Sequence, residues 1–205
     1  MKRLSLVLVC LVLVSMQSFA GGPVSFGLQA TGASLNVPEP FKSVYGFGYG
    51  GGAHLDINLP LLFSIRVAAD YTTYSPDRDK FKGVLAAQAP GSIASGFETD
   101  GGRFNIFSVS ANGKLALLPT PVVSPYITAG VGIGSISASD ITVKYLGQTL
   151  GTAPSPGTET KSSVNFGAGV DLTLVVTLYL EAKYTIIFTD GESSSFVSVS
   201  LGITF

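Results

Sequence analysis

Residues 45–58 read Tyr-Gly-Phe-Gly-Tyr-Gly-Gly-Gly-Ala-His-Leu-Asp-Ile-Asn, and this stretch decides the fold. Its odd positions are aromatic or aliphatic apart from Gly51, whereas its even positions hold glycine, histidine, aspartate and asparagine. Alternation over this length is typical of a β-strand whose two faces meet different surroundings. We therefore predict one long strand here, with an apolar face and a face of small and polar residues.

The same two-sided pattern returns along the rest of the chain. Further strands are predicted, strongly or weakly, at 24–35, 63–71, 104–115, 126–134, 164–173, 178–185 and 197–205. Short connections separate some of them, at 58–62, 116–124 and 174–177, and long ones separate the others, at 36–43, 75–101, 140–162 and 187–194. Eight strands with short turns at one rim and long loops at the other are typical of a bacterial outer-membrane barrel.

The composition favours a membrane barrel over a soluble protein. Only 12% of the 205 residues are charged, against roughly 25% in an ordinary soluble domain, and mean hydropathy is +0.45. A formal charge of -1 offers no basic surface for nucleic acid. No segment after residue 20 is apolar for long enough to be a membrane helix.

A soluble lipocalin or β-sandwich would carry many charges opposite its apolar face, where this chain carries mainly glycine, serine and threonine. We predict an all-β fold, an eight-stranded antiparallel up-and-down transmembrane β-barrel.

Few charged residues fall on the predicted strands, and all of them share the small-residue face. With the only histidine they are His54, Asp56, Arg66, Asp70, Lys114, Asp171, Glu181 and Lys183. An eight-stranded barrel has room inside only for side chains, and buried charges must be paired, so these residues are predicted to form a polar network in the lumen. A polar gate or ion path built from the same groups stays open as an alternative.

The positions of the turns predict which of these residues meet. A turn centred near Pro60 would place Gly50 opposite Asp70 and His54 opposite Arg66, with Asp56 diagonal to Arg66. A turn near Val175 and Val176 would place Asp171 opposite Glu181 and diagonal to Lys183.

Residues 1–20 have the layout of a secretory signal peptide. Lys2 and Arg3 precede the apolar run 4–14, and the small residues Ser18 and Ala20 stand at the -3 and -1 positions of a cut before Gly21. A cut between Ala20 and Gly21 is expected to leave a barrel domain of residues 21–205. Because the single cysteine, Cys10, lies in the apolar run, the mature chain would have no thiol and no cysteine-based metal site.

The sequence offers little for catalysis or cofactor binding. His54 is expected near a periplasmic turn, and no serine or acid can be matched to it as a triad. The glycines at 46–52 lack the helix and the Lys-Ser/Thr of a phosphate-binding loop. Aromatic residues on the lipid face are interpreted as an interfacial girdle: Tyr45, Phe47, Tyr49, Tyr71 and Tyr184. We predict no catalytic, metal or cofactor site, and a lumen or rim enzyme using His54 is the least favoured hypothesis.

One segment resembles a known family. Pro125-Tyr126-Ile127-Thr128-Ala129-Gly130-Val131-Gly132-Ile133-Gly134 is similar to the Pro-Tyr-x-x-Ala-Gly-x-Gly strand of small outer-membrane barrels of the OmpA/OmpX kind, and 165–171 and 180–184 look like its next two strands. The alternating residues at the end of the chain resemble the signal read by the barrel-assembly machinery: Val199, Leu201, Ile203 and Phe205. The resemblance implies a protein of the Gram-negative cell outer membrane that contacts lipid and this machinery.

Two departures from the family qualify the resemblance. Full-length OmpA-type proteins continue into a peptidoglycan-binding domain, whereas this chain stops at the last strand, so cell-wall anchoring is not expected to carry over. The turns at 58–62 and 116–119 are apolar where the family is usually polar.

The expected function is a structural and surface-interaction role for a monomeric barrel without cofactors. Its partners are expected at loops 75–101 and 140–162, and a short helix or hairpin is predicted at 84–89. The alternative is a narrow channel or an OmpW-like transporter of small, hydrophobic molecules.

Overall fold

The computed structural model describes residues 23–36, 45–59, 62–77, 97–118, 120–145, 148–155, 157–188 and 193–205. The predicted signal peptide at 1–20, its cut between Ala20 and Gly21, and the predicted helix or hairpin at 84–89 lie outside these ranges. None of the described residues forms a helix long and apolar enough to cross a membrane.

Eight strands close into one barrel, as the alternation predicts. They are β1 (Val24–Asn36), β2 (Tyr45–Asn58), β3 (Phe63–Pro76), β5 (Phe104–Ala116), β6 (Val123–Ala138), β9 (Thr158–Thr173), β10 (Thr177–Ile187) and β11 (Ser194–Thr204). Every neighbouring pair is antiparallel, and the ring closes through β1 and β11. Because each neighbour is also the next barrel strand along the chain, the topology is up-and-down. The predicted fold is confirmed.

The two faces of each strand have opposite surroundings. On β3, the side chains of Phe63, Ile65 and Val67 are exposed, whereas those of Ser64 and Arg66 between them are buried. Successive side chains of a strand point to opposite sides of the sheet, so the apolar residues lie outside and the small and polar residues line the lumen.

The ladder between β2 and β3 is shifted by two residues from the predicted register. Asp56 pairs with Arg66, His54 with Ala68, and Gly52 with Asp70. The prediction that Gly50 faces Asp70 and His54 faces Arg66 is therefore wrong. The turn is centred one residue after Pro60, and Leu62 has a φ of 71°, the left-handed residue expected in a three-residue hairpin loop.

The ladder between β9 and β10 also differs from the prediction. Asp171 pairs with Tyr179, and Glu181 pairs with Gly169. The predicted pairing of Asp171 with Glu181 is wrong because the three-residue turn is centred on Val175.

A second, three-stranded sheet extends the barrel beyond the rim that carries the long loops. It consists of β4 (Phe97–Gly101), β7 (Ile141–Tyr145) and β8 (Gln148–Ala153) in the order β4-β7-β8. Backbone N–H groups of Gly102 and Ser139 donate to the carbonyls of Asp140 and Arg103, so the β5–β6 ladder runs without a break into β4–β7. Parts of 75–101 and 140–162, predicted as loops, are therefore strands. The sequence reading missed them because each has only five or six residues.

Candidate functional site in the barrel lumen

The structure places the eight predicted lumen residues on the inward face of the barrel. Five of them are buried, namely His54, Asp56, Arg66, Lys114 and Glu181. The other three, Asp70, Asp171 and Lys183, are half-buried. We refer to the eight together as the polar network.

Arg66 is the centre of the polar network. Its Nε lies 2.7 Å from Asp56 Oδ1 and its Nη2 lies 2.8 Å from Asp56 Oδ2, which makes a bidentate pair between directly opposite residues of β2 and β3. Across the lumen, Arg66 Nη1 lies 3.5 Å from Glu181 Oε2. The guanidinium also stacks on the ring of Tyr179, 4.7 Å from its centroid. Lysine could not reproduce the bidentate pairing.

Glu181 is held from three sides. Lys183 Nζ lies 3.2 Å from its Oε1, and the hydroxyl of Tyr126 donates to its Oε2 at 3.0 Å. Together with Arg66 these contacts compensate a carboxylate that is 3% exposed.

Lys114 and Asp171 form a second ion pair closer to the short turns. Lys114 Nζ lies 2.7 Å from Asp171 Oδ2 and sits 4.0 Å from the centroid of the Tyr126 ring. Tyr126 therefore contacts both ion pairs and links them into one network.

A chain of hydrogen bonds connects Asp70 to His54. The Gln29 side chain donates to Asp70 and accepts from the hydroxyl of Tyr179. The phenol oxygen of Tyr179 lies 3.3 Å from His54 Nδ1, and Thr204 Oγ1 lies 3.1 Å from His54 Nε2. Because the phenol proton goes to Gln29, the phenol accepts from Nδ1–H, which leaves Nε2 to accept from Thr204. His54 thus connects β2 by hydrogen bonds to β10 and β11, neither of which is its neighbour in the barrel.

The predictions omitted Gln29, Tyr126 and Tyr179. The signal for the two tyrosines was their parity, since both fall on the small-residue face of their strands. Two glycines make room for their rings: a Cβ at Gly169 would collide with the Tyr126 ring, and one at Gly202 with the Tyr179 ring. The glycine face is therefore shaped around two large side chains.

An apolar cluster fills the lumen at the long-loop end, and we call it the apolar cap. Its buried members are Ala33, Leu35, Tyr74, Ile106 and Ile187, and its half-buried members are Tyr45, Phe104, Ile136 and Phe196. Tyr45 was predicted on the lipid face, but the register of β2 shifts between Tyr45 and Gly48 and its ring packs 5.8 Å from that of Phe104. The cap was not predicted, because the inward face was expected to carry only small and polar residues.

Two cavities lie at different heights in the lumen. One of about 310 Å³ opens at the short-turn end and is lined by Asp56, Lys114 and Asp171, among others. The other, of about 30 Å³, lies between Asp70, Lys183 and the cap, and it has room for about one or two water molecules. Arg66 and Glu181 lie between these levels along their strands. Ion pairs and aromatic rings therefore separate the two spaces.

The lumen arrangement is suited to structure more than to chemistry. His54 contacts a threonine and a tyrosine rather than a serine nucleophile. Within the part of the chain that the structure describes, no group of three or more histidine, cysteine or acidic residues could hold a metal ion.

Comparisons with known proteins agree with the geometry. The chain is similar to Neisserial surface protein A, with 17% identity, a TM-score of 0.56, and coverage of 89% of this chain and 96% of that one. It is also similar to Ail, the attachment invasion locus protein of Yersinia pestis, with 14% identity, a TM-score of 0.48 and coverage of 89% and 97%. The N-terminal barrel of Pseudomonas aeruginosa OprF shows 15% identity, a TM-score of 0.47 and coverage of 88% and 97%. No curated protein matches the sequence.

These structural similarities show only that the fold is shared, whereas the family is identified from the sequence. A model of the outer membrane protein beta-barrel domain matches residues 6–205, nearly the whole chain. This protein belongs to the outer membrane protein beta-barrel domain family and is located in the outer membrane.

Proposed function

We propose that this protein is a structural barrel of the outer membrane that acts through surface interactions of its external sheet. The observation that carries the proposal is the projection of β4, β7 and β8 beyond the rim. Long loops of bacterial barrels face the outside of the cell, so this sheet would be presented to the surroundings.

The outer edge of β8 supports such a role. Among the described strands β8 pairs only with β7, so one of its edges has backbone N–H and C=O groups without a strand partner. Its exposed residues include Gln148, Thr149 and Thr152. An open polar edge binds an extended peptide by adding it as a further strand, with main-chain hydrogen bonds providing affinity.

The filled lumen favours interaction over transport. The apolar cap closes the long-loop end, and the polar network lies beneath it. A narrow channel or an OmpW-like route for small hydrophobic molecules would need both layers to move. Entry of polar solutes in a liposome-swelling assay would support that alternative.

Trimming the external sheet tests the proposed role. In the trimmed variant a Gly-Ser linker replaces 141–153, while the barrel ladder between β6 and β9, which ends at the pair Ser137–Thr158, is kept. Both forms are reconstituted and probed with a random linear peptide library displayed on phage. We expect peptides selected on the intact protein to lose binding to the trimmed variant. Peptides that bind both forms equally, or none selected on the intact protein, would contradict the role of the sheet.

The remaining features belong to the same proposal. We propose that residues 1–20 are a cleaved signal peptide, that 21–205 form the barrel domain, and that the alternating residues ending at Phe205 are read by the barrel-assembly machinery. We also propose that the barrel is a monomer without a cofactor or nucleic-acid partner. Cross-linking in intact outer membranes would reveal an oligomer if one forms.

A further inference from the structure

All three short turns of the barrel expose large apolar side chains. These are Leu59 and Leu62 between β2 and β3, Leu117, Leu118 and Val122 between β5 and β6, and Leu174 and Val175 between β9 and β10. Val175 is 83% exposed and Leu174 64%. Exposed apolar patches of this kind mark a surface that contacts an apolar partner.

The exposed turn residues continue the lipid-facing surface of the strands. On β5 the outward residues Leu115, Val109 and Phe107 are exposed, and Leu117 follows in the turn. At the other end of the barrel the outward positions become polar, at Ser34, Asn105, Ser135 and Ser162. On these four strands the apolar band therefore has a boundary on the loop side and none before the turns, whereas on β2 Phe47, opposite Ser34, is still apolar and exposed.

The height of this band places its lower edge at or next to the turns. A strand rising about 3.3 Å per residue with a tilt of about 40° climbs about 2.5 Å per residue along the barrel axis. The eight residue steps from Leu115 to Phe107 then span about 20 Å, and the ten steps from Leu117 to Phe107 span about 25 Å. The ten residue steps from Val123 to Ile133 on β6 give the same height. The usual apolar band of such barrels is about 25 Å tall. On β5 the band reaches this height at Leu117 in the turn, and on β6 it does so at Val123, the first strand residue after that turn. On β2 the ten steps from Phe47 to Ile57 give the same height, and Ile57 lies two residues before Leu59.

One backbone N–H at the start of each turn has a partner within the protein. Polar backbone groups in a bilayer must be satisfied within the protein. The N–H groups of Leu59, Leu117 and Leu174 donate to the carbonyls of Phe63, Pro125 and Val176 at 2.8 to 3.0 Å. None of the three turns contains a charged residue, and Pro60, Pro119 and Pro121 carry no N–H at all.

We propose that the three short turns lie among the phospholipid acyl chains of the inner leaflet and do not project into the periplasm. They anchor the barrel at its lower edge, which sets its depth. The apolar cap then lies level with the outer boundary of the band, where Ser34, Asn105 and Ser135 face outward. Consequently β4, β7 and β8 stand wholly above the lipid.

The sequence contains no tryptophan, so a single introduced tryptophan reports the depth of its own position in the bilayer. Single tryptophans are introduced as Leu118→Trp and Val175→Trp in the turns. Leu180→Trp, in the middle of the outward band, is the lipid-exposed control. Thr160→Trp, exposed on the polar end of β9, is the water-exposed control and also reveals any intrinsic preference of tryptophan for the bilayer.

Each variant is reconstituted in dioleoylphosphatidylcholine vesicles with or without brominated acyl chains, and heat-modifiable gel mobility verifies folding. We expect brominated lipid to quench Leu118→Trp and Val175→Trp about as strongly as Leu180→Trp, and several-fold more than Thr160→Trp. We also expect aqueous acrylamide to quench only Thr160→Trp strongly. If acrylamide quenches the turn tryptophans as strongly as Thr160→Trp, the turns lie in water and the proposal is wrong. Protection from acrylamide that appears only after a periplasmic protein is added would also overturn it, because the turns would then contact that protein and not lipid.

Discussion

Replacing Arg66 by methionine should destabilise the folded barrel more than any change at its surface. Arg66→Met removes the bidentate pair with Asp56 at 2.7 and 2.8 Å, the contact with Glu181 at 3.5 Å, and the stacking on Tyr179. Asp56 is 5% exposed, so its carboxylate would stay buried without a strong partner.

The expected magnitude follows from the burial of the partners. Breaking a buried ion pair by removing one member costs about 3–5 kcal/mol, because the other charge is left uncompensated. The double variant Asp56→Asn/Arg66→Met removes both charges, while Glu181 keeps Lys183 and Tyr126. We expect it to be more stable than Arg66→Met by about 1–3 kcal/mol.

The free energy of unfolding is measurable by urea titration in lipid vesicles, with the folded fraction read from the mobility of unheated samples on gels. Glu159→Gln is the matched control, because its pair with Lys161 is 3.7 Å long and the Glu159 side chain is 62% exposed. This control should change stability by no more than about 1 kcal/mol. If Arg66→Met costs no more than the control, or if the double variant is no more stable than Arg66→Met, Arg66 is not the centre of the network.

Three further predictions concern packing, processing and assembly. Gly202→Ala should destabilise the barrel by about 1–3 kcal/mol in the same titration, because the new Cβ meets the Tyr179 ring. Gly46→Ala is the control and should not destabilise the barrel, because its Cβ would have nothing within 4 Å. Equal effects of the two substitutions would contradict this prediction. Mass spectrometry of protein from outer membranes should find Gly21 at the N-terminus, and a retained leader would show that the signal-peptide prediction is wrong. Deleting Phe205 removes its two backbone hydrogen bonds with Phe26 and should lower the amount of heat-modifiable protein in the outer membrane, so an unchanged amount would argue against the assembly signal.

The alternation of apolar residues with small and polar ones was sufficient to predict the barrel, since lipid on one side and a narrow lumen on the other constrain every strand. It could not determine register, because register depends on turn geometry. Leu62 adopts a left-handed conformation that a leucine side chain does not predict. The resulting turn places Asp56 rather than His54 opposite Arg66.

The candidate site was predictable as a set of charges but not as a set of contacts. Tyr126 and Tyr179 had the correct parity, yet their roles depend on cross-lumen distances that only the closed barrel defines. Tyr45 was expected on the lipid face but lies in the apolar cap, because the β2–β3 ladder is irregular between Tyr45 and Gly48. In the external sheet β4 pairs with β7, which is far away in the chain, and a local pattern does not encode such a pairing. The hairpin of β7 and β8 is local, but its strands have only five and six residues.

Single-channel conductance in planar bilayers tests the central claim most directly, namely that the lumen is filled and that function lies at the surface. Folded protein should produce no conductance steps, because the apolar cap and the ion pairs of Arg66 and Lys114 occupy the lumen. A control in which the cap is opened by Tyr74→Ala and Phe104→Ala, and the network by Arg66→Met, should show steps if its barrel remains folded. Regular steps from the unmodified protein would contradict the account and favour the channel.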